Sequence, residues 1–431
     1  MWLDSGAGGR GGGRWDIICA GPRVTLTTWG TVTEVRARYR RRHSTADPLE
    51  LLRAQLGPVR PHTDAEGLPF VGGAVGWIGY DLARRFERLG LRTRLDRLLP
   101  ELAVGIYDWA LLVDHAEQIS WLVGHGSRAD PARARLRALA LRPRSAPAGG
   151  FQIIGPTRSS LDWAGYARRF EQVQAYIEAG DCYQVNLARR WSMPVIGDGW
   201  RAYLQLRDIN PAPFAAWMHV PGVRVLCASP ERFLSVRDGQ VETCPIKGTR
   251  PRDPDPARDR ALAAELAASA KDRAENLMIV DLLRNDLGRS CRIGSVAVPR
   301  LFGIETFAGL HHLVSTVTGR LDRGTDPLAL LRGCLPGGSI TGAPKIRAMQ
   351  IIDDLEGEAR GIYCGNLFYL GYDGAMDSNI AIRTLSQAAG VLRWHAGGGL
   401  VADSRLDSEW AEIGIKAQAM HQLVGELFRR G

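Results

Sequence analysis

Alternation of apolar and polar side chains marks the first third of the chain. Residues 24–37 alternate β-branched with other side chains and predict a strand, which the basic run 40–43 interrupts. Asp47-Pro48 predicts a helix start, with the aspartate as cap, the proline in the first position and Leu49, Leu52 and Leu56 along one face. Residues 70–80 carry four glycines among apolar neighbours, which suits a strand closely approached by another backbone or a ligand. A helix is expected over 81–89. Strands at 106–113 and 118–123 form a hairpin turning near His115, followed by a short helix and a segment at 142–150 rich in Pro, Ala and Gly.

Beyond 150 the period changes. Residues 160–179 place Tyr166, Phe170, Val173 and Ile177 at helical spacing, and Gly180-Asp181 ends that helix. Strands follow at 182–191, 223–228 and 233–236, with Asp238-Gly239 as a hairpin turn, and 259–270 reads as an alanine-rich helix. The pattern suggests a disordered start at 1–14, a region at 15–150 and a second at 151–431.

Composition narrows the class. The chain has 431 residues, 45% of them hydrophobic, enough for a large core. A net charge of +9 raises nucleic-acid binding as a possibility, but the arginines are spread along the chain and no zinc-finger spacing accompanies them. The same charge suits an anionic metabolite. Seven scattered cysteines without a Cys-x-x-Cys pair favour reduced thiols, and no apolar run approaches the ~18 residues of a membrane span. The expectation is a soluble, cytoplasmic protein.

Candidate chemistry starts at Pro245-Ile246-Lys247-Gly248-Thr249-Arg250, where a lysine stands between a ring-fixed residue and a glycine. Alone, Lys247 is better read as a solvated loop cation than as a nucleophile. Asp272 and Glu275, and likewise Glu409 and Glu412, are three apart on expected helices, so each pair shares a face. Such pairs are usually solvated, but Glu275 precedes the apolar run 277–280, where a buried carboxylate needs compensation such as a divalent cation. The run 336–345 resembles a phosphate loop but lacks its Gly-Lys-Ser/Thr, so a nucleotide is rejected. What remains is a glycine-rich turn entering a helix at Pro344, suited to a carboxylate. Arg383 follows an apolar alternation, and its planar fork suits two-point carboxylate recognition.

The stretches 271–288, 336–349, 361–384 and 397–416 together resemble the chorismate-utilising enzymes, over about 161–425. The resemblance implies an α/β fold with a two-sheet, mostly antiparallel core, helices outside and a cleft between the sheets. It makes 151–431 the catalytic region, and the two halves are then expected to share one body. It implies Mg2+ on Glu275 and Glu412, supported by Asp272 and Glu409. Tyr363, Arg383 and the backbone of Gly397 and Gly398 would grip a substrate carboxylate. Ser339 and Lys345 would lie at or near the cleft, Gly248 and Thr249 beside the substrate, and His312 near the leaving hydroxyl. Pro-Ile-Lys-Gly-Thr resembles the aminodeoxychorismate synthase branch, whereas anthranilate synthases carry alanine in place of Lys247. Gln184 stands where isochorismate synthases carry a water-activating lysine, and glutamine cannot serve as that base. The branch implies chorismate and ammonia as substrates, Lys247 as covalent nucleophile and a separate glutaminase subunit as ammonia source. Asn366-Leu367-Phe368 departs from the family's Ser-x-Gly, and the tract 281–289 is expected to be structural.

Overall fold

The computed structural model describes residues 1–6, 13–60, 67–87, 89, 96–124, 150–306 and 310–430. Within them lie two large sheets whose strand pairings are antiparallel. One runs Gln152–Ile153, Gln184–Ile196, Val391–Leu400, Thr384–Ala388, Val223–Ser229, Phe214–Val220, Trp2–Asp4, Trp15–Ile18, Trp109–Asp114, Ile119–Gly124. The other runs Ile246–Pro251, Leu310–Arg320, Gln240–Thr243, Arg232–Arg237, Met376–Asn379, Asn366–Gly371, Gly73–Ile78, Leu102–Tyr107, Val24–Trp29, Val32–Ala37, Arg40–Ser44.

The period-2 alternation of each strand decides what lies between the sheets. Val75 and Trp77 of one sheet pack with Val225 and Cys227 of the other in a single buried cluster. Their neighbours Ala74, Ile78, Leu226 and Ala228 face the opposite way, toward helices. There Tyr166 and Val173 of the helix Trp163–Glu178, and Met420 and Leu423 of Leu406–Arg430, cover the tryptophans Trp191 and Trp394. Leu49 and Leu52 of Pro48–Leu56 cover Val24 and Leu26.

Several expectations change in three dimensions. Trp2–Asp4, read as part of a disordered start, is a strand held between Phe214–Val220 and Trp15–Ile18. The apolar run 106–113 is not one strand: it crosses from one sheet to the other at Asp108, so its two ends pair with different partners. The basic run is itself the edge strand Arg40–Ser44, where charge blocks further pairing. Only a 3-10 turn, Tyr80–Arg85, forms where a helix was expected over 81–89. The short helix and most of the 142–150 segment fall outside the described residues.

Strands from both sides of residue 150 alternate in each sheet. Gly73–Ile78 pairs with Asn366–Gly371, and Trp2–Asp4 with Phe214–Val220, so the two halves share one core.

Candidate active site

Lys247 lies at an interruption of the ladder. The strand Ile246–Pro251 pairs Ile246 with Val314 and Thr249 with His312, so the register slips between them, and Lys247 and Gly248 stand outside regular pairing. Gly248 has φ +82°, and a Cβ there would come within 2.9 Å of Asp272 Cβ and Cγ. Glycine therefore lets the lysine loop lie directly on the helix Ala270–Gly288, which carries Asp272 and Glu275. Ser269 caps that helix, its Oγ accepting from Asp272 N.

The second acidic pair arrives from Leu406–Arg430, next to Val391–Leu400. A Cβ on Gly398 would stand 3.0 Å from Glu409 Oε2 and 3.8 Å from Glu412 Oε1, so the glycine run opens the strand to both carboxylates. Glu409 is buried and accepts from Ser404 Oγ at 2.6 Å. Burial raises its carboxyl. Asp272 takes Arg250 Nη2 at 3.3 Å.

These charges meet at Lys247. Burial lowers its proton affinity, Lys416 lowers it further, and Glu275, Glu231 and Glu412 oppose both without restoring the usual value. Glu275 is raised by burial against the pull of Lys247 and Lys271, with Glu412 adding repulsion. Burial acts on Glu412 too, but Lys416, whose Nζ lies 2.6 Å from Oε1, outweighs it and leaves that carboxyl below its ordinary value. Lys416 Nζ also donates to Gly397 O at 3.1 Å.

Glu231 completes the group and was missed in the sequence. It is buried, accepts from Ser339 Oγ at 3.0 Å, and its main chain is fixed by Ser229 Oγ and Ile380 N. Burial raises its carboxyl, with Ser339, Lys247, Lys416 and Arg383 pulling the other way. His312 is driven down to about 4 by burial and by Arg383, so it is neutral at pH 7; its Nδ1 lies 2.9 Å from Thr249 Oγ1. Arg383 has φ +49° and places its guanidinium 3.3 Å from Asn210 Oδ1. Tyr363 is buried, its ring stacked on His395 with centroids 4.9 Å apart. Gln184 is fully buried, and neither amide atom has a hydrogen-bond partner among the described residues; Gly399 leaves room for its Nε2.

Lys345 stands apart from this group. Its ammonium donates to Asp286 Oδ2 at 2.5 Å and Cys334 O at 3.0 Å, tying Lys345–Glu356 to the tract 281–289. A buried carboxylate thus takes up its charge within the fold. At the family departure, Asn366 Nδ2 donates to Asn379 O, and Asn379 Oδ1 accepts from Leu367 N, a reciprocal clasp inside the sheet.

Among the described residues no group of three or more His, Cys, Asp or Glu side chains is set to hold a metal ion; Glu275 and Glu412 are near enough to repel each other, and magnesium can be held by one or two carboxylates while keeping several waters.

The chorismate binding enzyme family matches residues 1–422. The chain belongs to that family. As a chorismate binding enzyme it is 48% identical to aminodeoxychorismate synthase component 1 of Klebsiella aerogenes over 98% of this chain and 93% of that one. The corresponding Escherichia coli protein is 47% identical over 96% and 90%. Anthranilate synthase component I of Streptococcus pneumoniae has the same fold, with TM-score 0.84 and 30% identity over 94% of this chain and 92% of that one. The match reaches the first residue, so the N-terminal half, where the motifs thin out, is part of the family's body. No described helix is long and apolar enough to cross a membrane.

Proposed function

We infer that the chain aminates chorismate with ammonia to give 4-amino-4-deoxychorismate, as a component 1 whose ammonia comes from a separate glutaminase subunit. The product then serves p-aminobenzoate and folate synthesis. The similarity to two aminodeoxychorismate synthase components along almost the whole chain supports the reaction. The observation that carries the mechanism is the Lys247 amine, its proton affinity lowered, at a ladder slip against the acidic helix.

The neutral Lys247 amine attacks ring carbon C2, the ring double bonds shift and the C4 hydroxyl departs. By family resemblance His312 stands beside that hydroxyl, and as a neutral imidazole it keeps one ring N–H with which to assist the departure. Ser339 keeps the Glu231 carboxyl in position. Ammonia then bonds to C4 as the C2–nitrogen bond breaks and the lysine is released. Arg383, Tyr363 and the glycine strand hold the substrate's carboxylates, with Gly248 and Thr249 along its edge. Gln184 offers its unpaired amide inside the cleft but has no basic group with which to activate water. Glu275 and Glu412, backed by Asp272 and Glu409, would hold magnesium, which would supply positive charge to neutralise and orient the ring carboxylate.

Incubation with chorismate, magnesium and ammonium, followed by chromatography, tests the reading. The expected product is 4-amino-4-deoxychorismate; anthranilate with pyruvate as main products would replace it with anthranilate synthesis. Lys247→Ala should lose covalent turnover, and full activity of that variant would remove the covalent step alone.

A further inference from the structure

Behind the cleft, Arg360 makes contacts that the reaction as described does not use. It is 2% exposed and spreads its fork over three separate segments. Nη1 donates to Ile340 O at 3.0 Å and Nη2 to Asn186 O at 2.7 Å. Nε and Nη2 grip the two oxygens of Glu356 at 2.8 and 2.7 Å. Glu356 Oε1 in turn accepts from Ala188 N at 2.8 Å. The guanidinium also lies over the rings of Tyr80 and Tyr363.

Each anchored carbonyl lies next to a residue of the cleft. Ile340 follows Ser339, whose hydroxyl must stay on Glu231, and Asn186 is two residues from Gln184 on the strand opposite the glycine run. The chain beyond Ser339 pairs with that strand, Gln184 with Ala343 and Val185 with Gly342, and Asn186 N donates to Thr341 O at 2.7 Å; Arg360 extends this seam toward Ser339 by bridging the carbonyls of Ile340 and Asn186.

We propose that Arg360, oriented by Glu356, is a positioning residue for catalysis: its fork locks the Ser339 loop to the Gln184 strand, keeping the Ser339 hydroxyl on Glu231. A single ammonium cannot span two carbonyls and both carboxylate oxygens, so lysine keeps the charge opposite Glu356 but loses the lock. A displacement of the order of 1 Å at a reacting group costs about 100-fold in rate.

The test is a double-mutant cycle on ammonium-dependent amination. Arg360→Lys should stay folded and lower kcat about 10- to 100-fold, a larger change than in the KM for chorismate, since Arg383 is untouched and Tyr363 loses only the guanidinium over its ring. In a Ser339→Ala background the same change should lower kcat less than about 3-fold, since the group being positioned is gone. Glu356→Gln, which keeps an oxygen for Ala188 N, serves if Arg360→Lys fails to fold and should show the same dependence on Ser339. Equal loss in both backgrounds, unchanged kcat, or a loss that follows only the unfolded fraction would overturn the proposal. The inference rests on the amination reading: no product from the unmutated chain overturns both, whereas undiminished product from Arg360→Lys overturns this one alone.

Discussion

At Gly248 a single methyl group separates a working lysine loop from a blocked one. Gly248→Ala puts a Cβ into Asp272 at a left-handed backbone position costing about 1–2 kcal/mol. Activity should fall more than about 10-fold while thermal unfolding shifts only by that local strain, as calorimetry beside a steady-state assay can read. Lys247 gives a second, directional expectation. Its amine must be neutral, so kcat/KM for chorismate, at constant free ammonia, should rise with pH through its lowered pKa. Lys416→Met removes a charge that pushes protons off and should move that rising limb to higher pH. Glu231→Gln removes a charge that holds protons on and should move it to lower pH. Shifts in the same direction would show that neighbouring charge does not set the amine.

The helix Ala270–Gly288 carries Asp272 and Glu275 in its first two turns, where the Ser269 cap fixes the backbone. Ser269→Ala should cost about 0.5–2 kcal/mol of stability. It should also raise the magnesium concentration needed for half-maximal activity, since Glu275 rides on the frayed end; titration of activity with the metal checks this. The helices Pro48–Leu56 and Trp163–Glu178 and the spacing of both carboxylate pairs were legible in the sequence because each depends on spacing within one element. Lys416 was missed, although its i+4 spacing from Glu412 is a signal the sequence carries. Glu231 was not legible: its hydrogen-bond partner Ser339 is 108 residues away, and nothing local distinguishes it from a solvated acid. The same reason hid the partner of Lys345, Asp286, which belongs to a different helix. Strand limits failed at 106–113 because a continuous apolar run does not reveal that its two ends lie in different sheets.

Across the whole molecule, the interleaved sheets make residue 150 a poor place to cut. Residues 151–431 produced alone should be insoluble, since Asn366–Gly371 and Phe214–Val220 each lose a neighbouring strand; co-expression with 1–150 should restore solubility. Burial also leaves a pH signature outside the cleft. Asp81 accepts from Gly361 N, and its carboxyl is raised from 3.8 to about 6 by burial, with Gly361, Arg84 and Arg360 opposing. Its contribution to stability is complete below its unfolded pKa and lost as pH rises through about 6. Asp81→Asn keeps the hydrogen-bond acceptor without the charge. It should be more stable by about 1–3 kcal/mol at pH 8, with the gain fading to nothing near pH 4, as denaturant titration across pH can follow.

The pairing of Gly73–Ile78 with Asn366–Gly371 also sets a timetable for the nascent chain. Roughly 290 residues separate the end of the first strand from the start of the second, so at about 5–20 residues per second the ribosome needs some 15–60 s to deliver the partner. Throughout that interval an apolar strand waits with one edge unpaired, the form most prone to capture by another polypeptide. Yield of native enzyme should therefore depend on growth temperature and chaperone supply far more than the stability of the finished molecule would suggest.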